Sequence, residues 1–212
     1  MKKLSIDNPF FNFMGNLGDW MILNVLFVIT SLPIVTIGMS LTALYQVTLR
    51  RTRGESVYVV REYIQACREE WKKSTKVWLV LLATGFLLLF DILYTLNLWP
   101  ALSMGIGVLL AIWCFLFTYA FPLQAQFDNT VKDTLKNALL LSVQQLPFTI
   151  LMIALNAIPI ICIAGGAYVT MMAMPVYLVI GFSLTARVNS IFLTKIFNGM
   201  KRRICYEDSA QS

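Results

Sequence analysis

The sequence predicts an all-α protein, a polytopic transmembrane helix bundle of five spans with flanking interfacial amphipathic helices. Hydrophobic residues occupy 58% of the 212 positions and charged residues only 13%, whereas about a quarter of the residues of a soluble domain are charged. The mean hydropathy of +0.71 points the same way. Apolar residues also collect in five runs of about 20 residues or more, the length that crosses a hydrocarbon core of about 30 Å. Lipid is therefore the expected solvent.

The whole chain, residues 1–212, is interpreted as a single transmembrane domain. The predicted spans are residues 20–45, 77–98, 101–123, 138–164 and 167–186. Only Trp99-Pro100 separates the second span from the third, and only Gly165-Gly166 separates the fourth from the fifth. Because proline and glycine punctuate tight turns, both pairs are predicted to be helical hairpins. The longest polar stretch, residues 46–76, separates the first span from the rest.

The distribution of basic residues predicts the orientation. All of the 17 lysines and arginines except Lys2 and Lys3 lie in three regions, residues 46–76, residues 124–137 and the chain after residue 186. Five crossings place these regions on one side of the membrane, and short loops rich in Lys and Arg stay in the cytoplasm. The prediction is a multi-pass protein of the cytoplasmic membrane with its N-terminus outside and its C-terminus inside.

Segments outside the spans are predicted to lie at the membrane surface. Asn8-Pro9 resembles a helix start, followed by a phenylalanine-rich stretch. In residues 46–76, apolar side chains recur at helical spacing: Val60, Tyr63, Ile64, Cys67 and Trp71. Such a cytoplasmic amphipathic helix can lie flat on anionic headgroups or present its polar face to a partner protein. A helical stretch after the fifth span is expected to stop at Asn198-Gly199.

The stretch TSLPIVTIG interrupts the first span near its middle. Pro33 lacks a backbone N–H and clashes with the carbonyl group four residues earlier. Thr36 can bond a carbonyl group that the break frees, and Gly38 allows another helix to approach closely. We therefore predict a kinked or partly unwound first helix that packs against the fourth or fifth span.

Prolines also interrupt two of the later spans. Pro147 and Pro159 interrupt the fourth span, and Pro175 is central in the fifth. Transporters build binding sites from broken membrane helices. Prolines also simply shape bundles, so this pattern permits transport without requiring it.

The first half of the chain resembles the YesL-like family of bacterial integral membrane proteins. The resemblance rests on Asn24 in the first span, then Leu32-Pro33, Thr36 and Gly38, then the exit Ala43-Leu44-Tyr45. It is strongest over residues 9–78, and VNSIFLTKIF later in the chain also matches. The family's function is unknown, so the resemblance implies no catalytic residues. It implies a setting in carbohydrate utilisation, beside sugar ABC transporters and sensors.

Ionisable and amide side chains within the spans are the candidate functional or structural positions. Asp91 should lie in the outer half of the second span, where a charge costs about 2.5–3.5 kcal/mol on insertion scales. Asn24 and Asn156 are expected at similar depth and Asn97 closer to the surface, and all three could join Asp91 in one cluster. Toward the inner side, a second group could form from Gln46, Gln124, Gln144, Gln145 and Arg187. For the amides, interhelical hydrogen bonding is favoured over a role in a solute or proton path. For Asp91 both interpretations stay open.

The sequence predicts no enzymatic activity, no cofactor and no metal site. Histidine is absent, and the four cysteines are scattered without a CxxC pair, which is typical of buried free thiols. Because the net charge of +6 is clustered at membrane flanks, we expect lipid and not nucleic acid as the partner.

Three functional interpretations remain. The first is an accessory or regulatory membrane protein that binds sugar ABC transporter or sensor components. The second is a small transporter or channel subunit, working as a homo-oligomer through Asp91 and the broken helices. The third is a membrane enzyme without a recognised motif.

Overall fold

The computed structural model describes residues 9–95 and 100–211, with side chains over residues 14–95 and 102–199. Its helices are α1 Pro9–Ser31, α2 Ile37–Thr52, α3 Val59–Thr95, α4 Pro100–Gln126, α5 Val131–Gln144, α6 Leu146–Ala164, α7 Ala167–Val176 and α8 Phe182–Gln211. A 3₁₀ turn, Ile34–Thr36, precedes α2, and a π-helical turn, Tyr177–Gly181, joins α7 to α8. The described residues contain no strand, so the predicted all-α class is confirmed.

Five helical segments are long and apolar enough to cross a membrane, which is the predicted number. They are Met14–Ser31, Val59–Thr95, Leu102–Gln126, Leu146–Ala164 and Ala167–Gly199. Length and composition thus identify a multi-pass membrane protein.

The predicted first span, residues 20–45, is two helices, and the chain reverses direction between them. The Asp19 carboxylate lies 2.6 Å from a guanidinium nitrogen of Arg51. If residues 19–51 formed one helix, these residues would be about 48 Å apart at 1.5 Å per residue. The break at Pro33 was predicted, but the complete reversal into an α1–α2 hairpin was not.

Local hydrogen bonds hold the tip of this hairpin. Pro33 cannot donate to the helix, and Thr36 donates from its hydroxyl to the carbonyl groups of Thr30, at 2.6 Å, and Pro33, at 2.7 Å. The indole of Trp78 donates to the carbonyl oxygen of Ile34 at 2.7 Å. Carbonyl groups that lose their helical partners at the break therefore accept other hydrogen bonds. Thr36 provides two of these bonds, which is the role that was predicted for it.

The amphipathic segment and the second span form one continuous helix, α3, of 37 residues. Neither proline nor glycine occurs between Val59 and Thr84, so nothing in the backbone favours a break there. At about 55 Å, α3 exceeds the hydrocarbon thickness of about 30 Å. Its predicted apolar stripe is divided: Tyr63 and Cys67 are buried, whereas Val60, Ile64 and Trp71 are exposed. Part of the surface that was expected to face lipid headgroups is therefore buried against other helices.

The later helices also differ from the predicted spans. The span 138–164 is divided at Gln145, because Pro147 occupies the first turn of α6. Gly166, with φ +94°, forms the predicted turn before α7. Asn97 and Trp99 lie outside the described residues, while α4 begins at Pro100. The expected stop at Asn198-Gly199 is wrong, since α8 continues to Gln211; a glycine weakens a helix by only about 1 kcal/mol.

The core surrounds α2, which packs against α3, α4 and α8. Side chains along nearly the whole length of α2 are buried, from Gly38 to Leu49. An ion pair between Lys73 and Asp128 joins α3 to the loop before α5. At the end of the bundle where α2 finishes and α3 begins, Arg50 pairs with Glu62 and Arg51 with Asp19. We call this the basic end. At the opposite, open end, α7 has no buried residue among those described and α3 is largely exposed beyond Gly85.

Candidate functional site

A fully buried asparagine joins α1 to the π-helical turn. Asn24 donates from Nδ2 to the carbonyl oxygens of Leu178, at 2.6 Å, and Tyr177, at 3.3 Å. Its Oδ1 accepts from the backbone N–H of Ser183 at 2.8 Å. We call these three bonds the Asn24 clasp. A single side chain thereby satisfies backbone groups on both sides of the irregular turn, and α1 is fixed against the fifth span as predicted.

Pro175 accounts for the irregularity that the clasp satisfies. It lies inside α7, where its missing N–H removes one helical hydrogen bond. The π-helical turn begins two residues later, at Tyr177. Such wide turns recur at functional sites, so the clasp marks a position of interest even though its own role is to satisfy the backbone.

A second buried network links α2, α6 and α8. Asn189 donates from Nδ2 to the Tyr45 hydroxyl at 3.1 Å and to Oδ1 of Asn156 at 3.0 Å. Close to these residues on α2 and α8, the hydroxyls of Thr48 and Ser190 lie 2.8 Å apart. The Oδ1 atom of Asn189 is buried and has no partner among the described residues.

A cavity of about 230 Å³ lies between the clasp and this second network. Its wall is mainly apolar, with Phe27, Phe121 and Pro159 among the lining residues. Polar groups enter the wall at Tyr45, Thr118, Asn156, Tyr177 and Thr185. The cavity thus combines an apolar surface with a few polar contacts, as small-molecule sites do.

Asp91 lies apart from this cavity, on the exposed face of α3 near the open end. Its backbone oxygen accepts a hydrogen bond from the Thr95 hydroxyl at 2.7 Å. No side chain in the described parts of the chain bonds its carboxylate. The predicted outer cluster of Asp91, Asn24 and Asn156 is therefore not formed, and Asn97 lies outside the described residues.

The predicted inner cluster is also dispersed. Gln124 is buried, donates to Glu70 at 3.1 Å and accepts from Thr134 at 2.9 Å. Gln144 lines a different, surface groove. The guanidinium of Arg187 instead lies 4.8 Å from the ring centroid of Trp20.

Gly38 allows the close helix contact that was predicted for it, but with α3. A Cβ atom added at Gly38 would lie 2.3 Å from Cβ of Trp78 and 2.7 Å from the backbone oxygen of Ser74. Pro33 itself is exposed at the hairpin tip. Gly38 therefore sets the separation of α2 and α3.

Sequence reasoning missed the polar residues of α8. Ser183, Asn189 and Ser190 are fully buried, as is the aliphatic Leu193 on the same face. Their spacing of three, four and seven residues was the available signal. The predicted fifth span ended at residue 186, so Asn189, Ser190 and Leu193 fell outside it and the pattern was not recognised.

The described part of the chain offers no metal site. The described residues contain no group of three or more Cys, Asp or Glu side chains placed to hold a metal ion. Cys67 is buried and free, and Cys114 and Cys162 are free and partly buried.

Comparison with known families gives one match. The family described as "Protein of unknown function, DUF624" matches residues 20–92, from Trp20 in α1 to Ile92 in α3. This region contains the α1–α2 hairpin, Asn24 and Asp91. No curated protein matches the chain, and no solved structure does.

Proposed function

We propose that this protein is a non-catalytic membrane protein that acts by binding another membrane protein through the open end of α3. The observation that carries the proposal is the position of Asp91. It lies among exposed apolar side chains at helical spacing, with Leu87 60%, Phe90 61% and Tyr94 65% exposed. These residues form one face of α3 that no other described residue covers, which we call the Asp91 face.

The energetics favour a protein neighbour over lipid at this face. A carboxylate in hydrocarbon costs about 2.5–3.5 kcal/mol, and membrane proteins place such groups against a partner group or in a water-filled cavity. Within the described residues, no side chain bonds the carboxylate of Asp91. A partner helix with a hydrogen-bond donor, such as a serine, an asparagine or a basic side chain, would lower this cost.

The family resemblance supplies the class of partner. The DUF624 match, residues 20–92, overlaps the YesL-like resemblance, which is strongest over residues 9–78, and extends to Asp91. We therefore propose an accessory or regulatory role in carbohydrate uptake, with the membrane subunit of a sugar ABC transporter or a membrane sensor as the partner.

Orientation is part of the proposal. We place the protein in the cytoplasmic membrane with the basic end and the C-terminus in the cytoplasm, in accord with the excess of Lys and Arg there. The expectation of an external N-terminus stays a prediction. The α1–α2 hairpin argues against it, because Asp19 near the start of α1 meets Arg51 at the basic end.

Photocrosslinking tests the proposed partner. A photoreactive amino acid replaces Leu87 in cells that express the sugar transporter and sensor genes, and the adducts are identified by mass spectrometry. We expect an adduct with a transporter membrane subunit or a sensor, reduced at least fivefold by Asp91→Asn. The control Asp128→Asn, which removes the same charge from an exposed side chain of the loop before α5, should leave the yield unchanged.

Two outcomes would overturn this proposal. An adduct that contains only a second copy of this chain would assign the Asp91 face to homo-oligomer formation. Equal adduct yields from the Asp91→Asn variant and the unmodified protein would remove Asp91 from any interface.

A second candidate function, solute transport, is favoured by the cavity beside the π-helical turn. Tyr177 and Asn156 both line it, so the π-helical turn and an amide contribute to one wall. Solute flux into proteoliposomes that is abolished by Asn156→Leu would support transport. Flux that depends on Asp91 would require a path outside this cavity.

A further inference from the structure

Two arginines converge on one tryptophan at the basic end. The guanidinium carbons of Arg51 and Arg187 lie 5.0 Å and 4.8 Å from the ring centroid of Trp20. They border a cleft of about 470 Å³ lined by Asn16, Trp20, Arg51, Thr52, Arg187 and Ile191. We call it the Trp20 cleft. It joins the start of α1, the end of α2 and the middle of α8.

Hydrogen-bond donors in this cleft have no partner within the described part of the chain. Trp20 is 4% exposed, and its indole Nε1 is buried and unbonded. Arg51 donates from Nη2 to Asp19, at 2.6 Å, and to Asn16, at 2.8 Å, but its Nη1 is buried and unbonded. A buried donor without an acceptor costs about 1–3 kcal/mol. Two such donors beside one cleft indicate an acceptor ligand.

The charge of the cleft is also unbalanced. Asp19 neutralises Arg51, but no described carboxylate lies within ion-pair distance of Arg187. The two guanidinium groups are at most about 10 Å apart, since both lie against one ring, and this is within the Debye length of about 10 Å at 0.1 M salt. Cation–π contact with Trp20 stabilises each cation without removing this excess.

Arg50, the residue before Arg51, differs from the two arginines of the cleft in its ion pairs. Arg50 forms ion pairs with Glu55, at 2.9 Å, and with Glu62. The hydrogen bond to Glu55 is the main cause that raises the pKa of the Arg50 guanidinium above its ordinary value. Carboxylates of this chain thus satisfy Arg50, whereas Arg187 and half of Arg51 are left for a ligand.

We propose that the Trp20 cleft binds a phosphate group. Guanidinium groups bind phosphate oxygens in bidentate geometry, and a phosphate has enough acceptor oxygens for both arginines and the indole N–H. The group belongs to an anionic phospholipid headgroup or to a soluble phosphate. The basic end is where anionic lipid would meet the protein.

Native mass spectrometry of the protein in neutral maltoside detergent tests this proposal, with phosphatidylglycerol and inorganic phosphate as separate probes. We expect one tightly held phosphate-bearing ligand per chain, with apparent affinity lowered at least tenfold in Arg187→Gln. The matched control Arg61→Gln removes the same charge from an exposed position on α3 and should change the affinity less than twofold.

A second variant separates binding from folding. Trp20→Phe keeps an aromatic ring against the arginines but removes the indole N–H, so the affinity should fall several-fold. The melting temperature of each variant in detergent, measured without probe, checks that the fold persists.

The two probes identify the source of the phosphate. Phosphatidylglycerol that is retained and not displaced by millimolar inorganic phosphate assigns the cleft to a lipid headgroup. Displacement at that concentration assigns it to a soluble phosphate. Equal loss of affinity in Arg187→Gln and Arg61→Gln, or no binding of either probe to the unmodified protein, would overturn the proposal.

Discussion

Individual asparagines differ in what they do, although the sequence presents them alike. Asn24 makes three hydrogen bonds to backbone groups around the π-helical turn. Asn156 makes one, to an Asn189 side chain that also bonds Tyr45. Residue type and depth were enough to select both positions as polar contacts. The partners could not be predicted, because they lie about 150 and 33 residues away along the chain.

The free energy of unfolding should reflect this difference. Asn24→Ala leaves buried carbonyl and N–H groups without partners, so we expect a loss of about 1–3 kcal/mol. Asn156→Ala leaves Asn189 bonded to Tyr45, so its loss should stay below about 1 kcal/mol. Unfolding by SDS in mixed micelles, followed by circular dichroism, measures both. Equal losses in the two variants would contradict the bracing role assigned to Asn24.

At the scale of the helices, the packing depends on the close contact at Gly38 and on the long continuous helix α3. The sequence predicted a break at Pro33 and a close contact of Gly38 with another helix. It did not predict that the neighbour is α3, because the reversal at Pro33 turns α2 back along the amphipathic half of that helix. For the same reason Tyr63 is buried, with its hydroxyl 2.5 Å from that of Thr30.

Separation of α2 from α3 should depend on Gly38. In Gly38→Ala the new methyl group would meet Cβ of Trp78 at 2.3 Å and a backbone oxygen at 2.7 Å, so one helix must shift. We expect a loss of about 1–3 kcal/mol from this overpacking. The control Gly107→Ala has open space around the added Cβ, and it should be neutral or stabilising by about 0.5–1 kcal/mol. Thermal unfolding in detergent compares the two, and equal melting temperatures would exclude the contact.

The molecule as a whole has a packed basic end and an open end. Buried side chains concentrate around α2, whereas α7 and the last part of α3 present apolar surface outward. The Asp91 face and the Trp20 cleft therefore lie at opposite ends, and the proposals made for them are independent.

Sidedness follows from the hairpin and can be measured. In a variant without native cysteines, single cysteines replace Asn16, Thr52 and Tyr168, and a membrane-impermeant maleimide is applied from each side of the membrane. Because α1 and α2 are antiparallel, positions 16 and 52 should react from the same side and position 168 from the other. Reaction of positions 16 and 52 from opposite sides would restore the single first span predicted from the sequence.

The amino-acid sequence by itself determined that the chain is suited to a membrane and how many of its segments could cross one. It also determined the break at Pro33 and the turn at Gly165-Gly166. These depend on hydropathy summed over a window and on backbone restrictions of proline and glycine, which are local properties. Only the tertiary structure decided that the first segment is a hairpin, that Asn24 satisfies a π-helical turn, and that Arg187 lies over Trp20. Each of those depends on a contact between residues far apart in the sequence, such as Asp19 with Arg51. Local patterns cannot specify such contacts, because the same hydropathy is compatible with a straight, a kinked or a reversed chain.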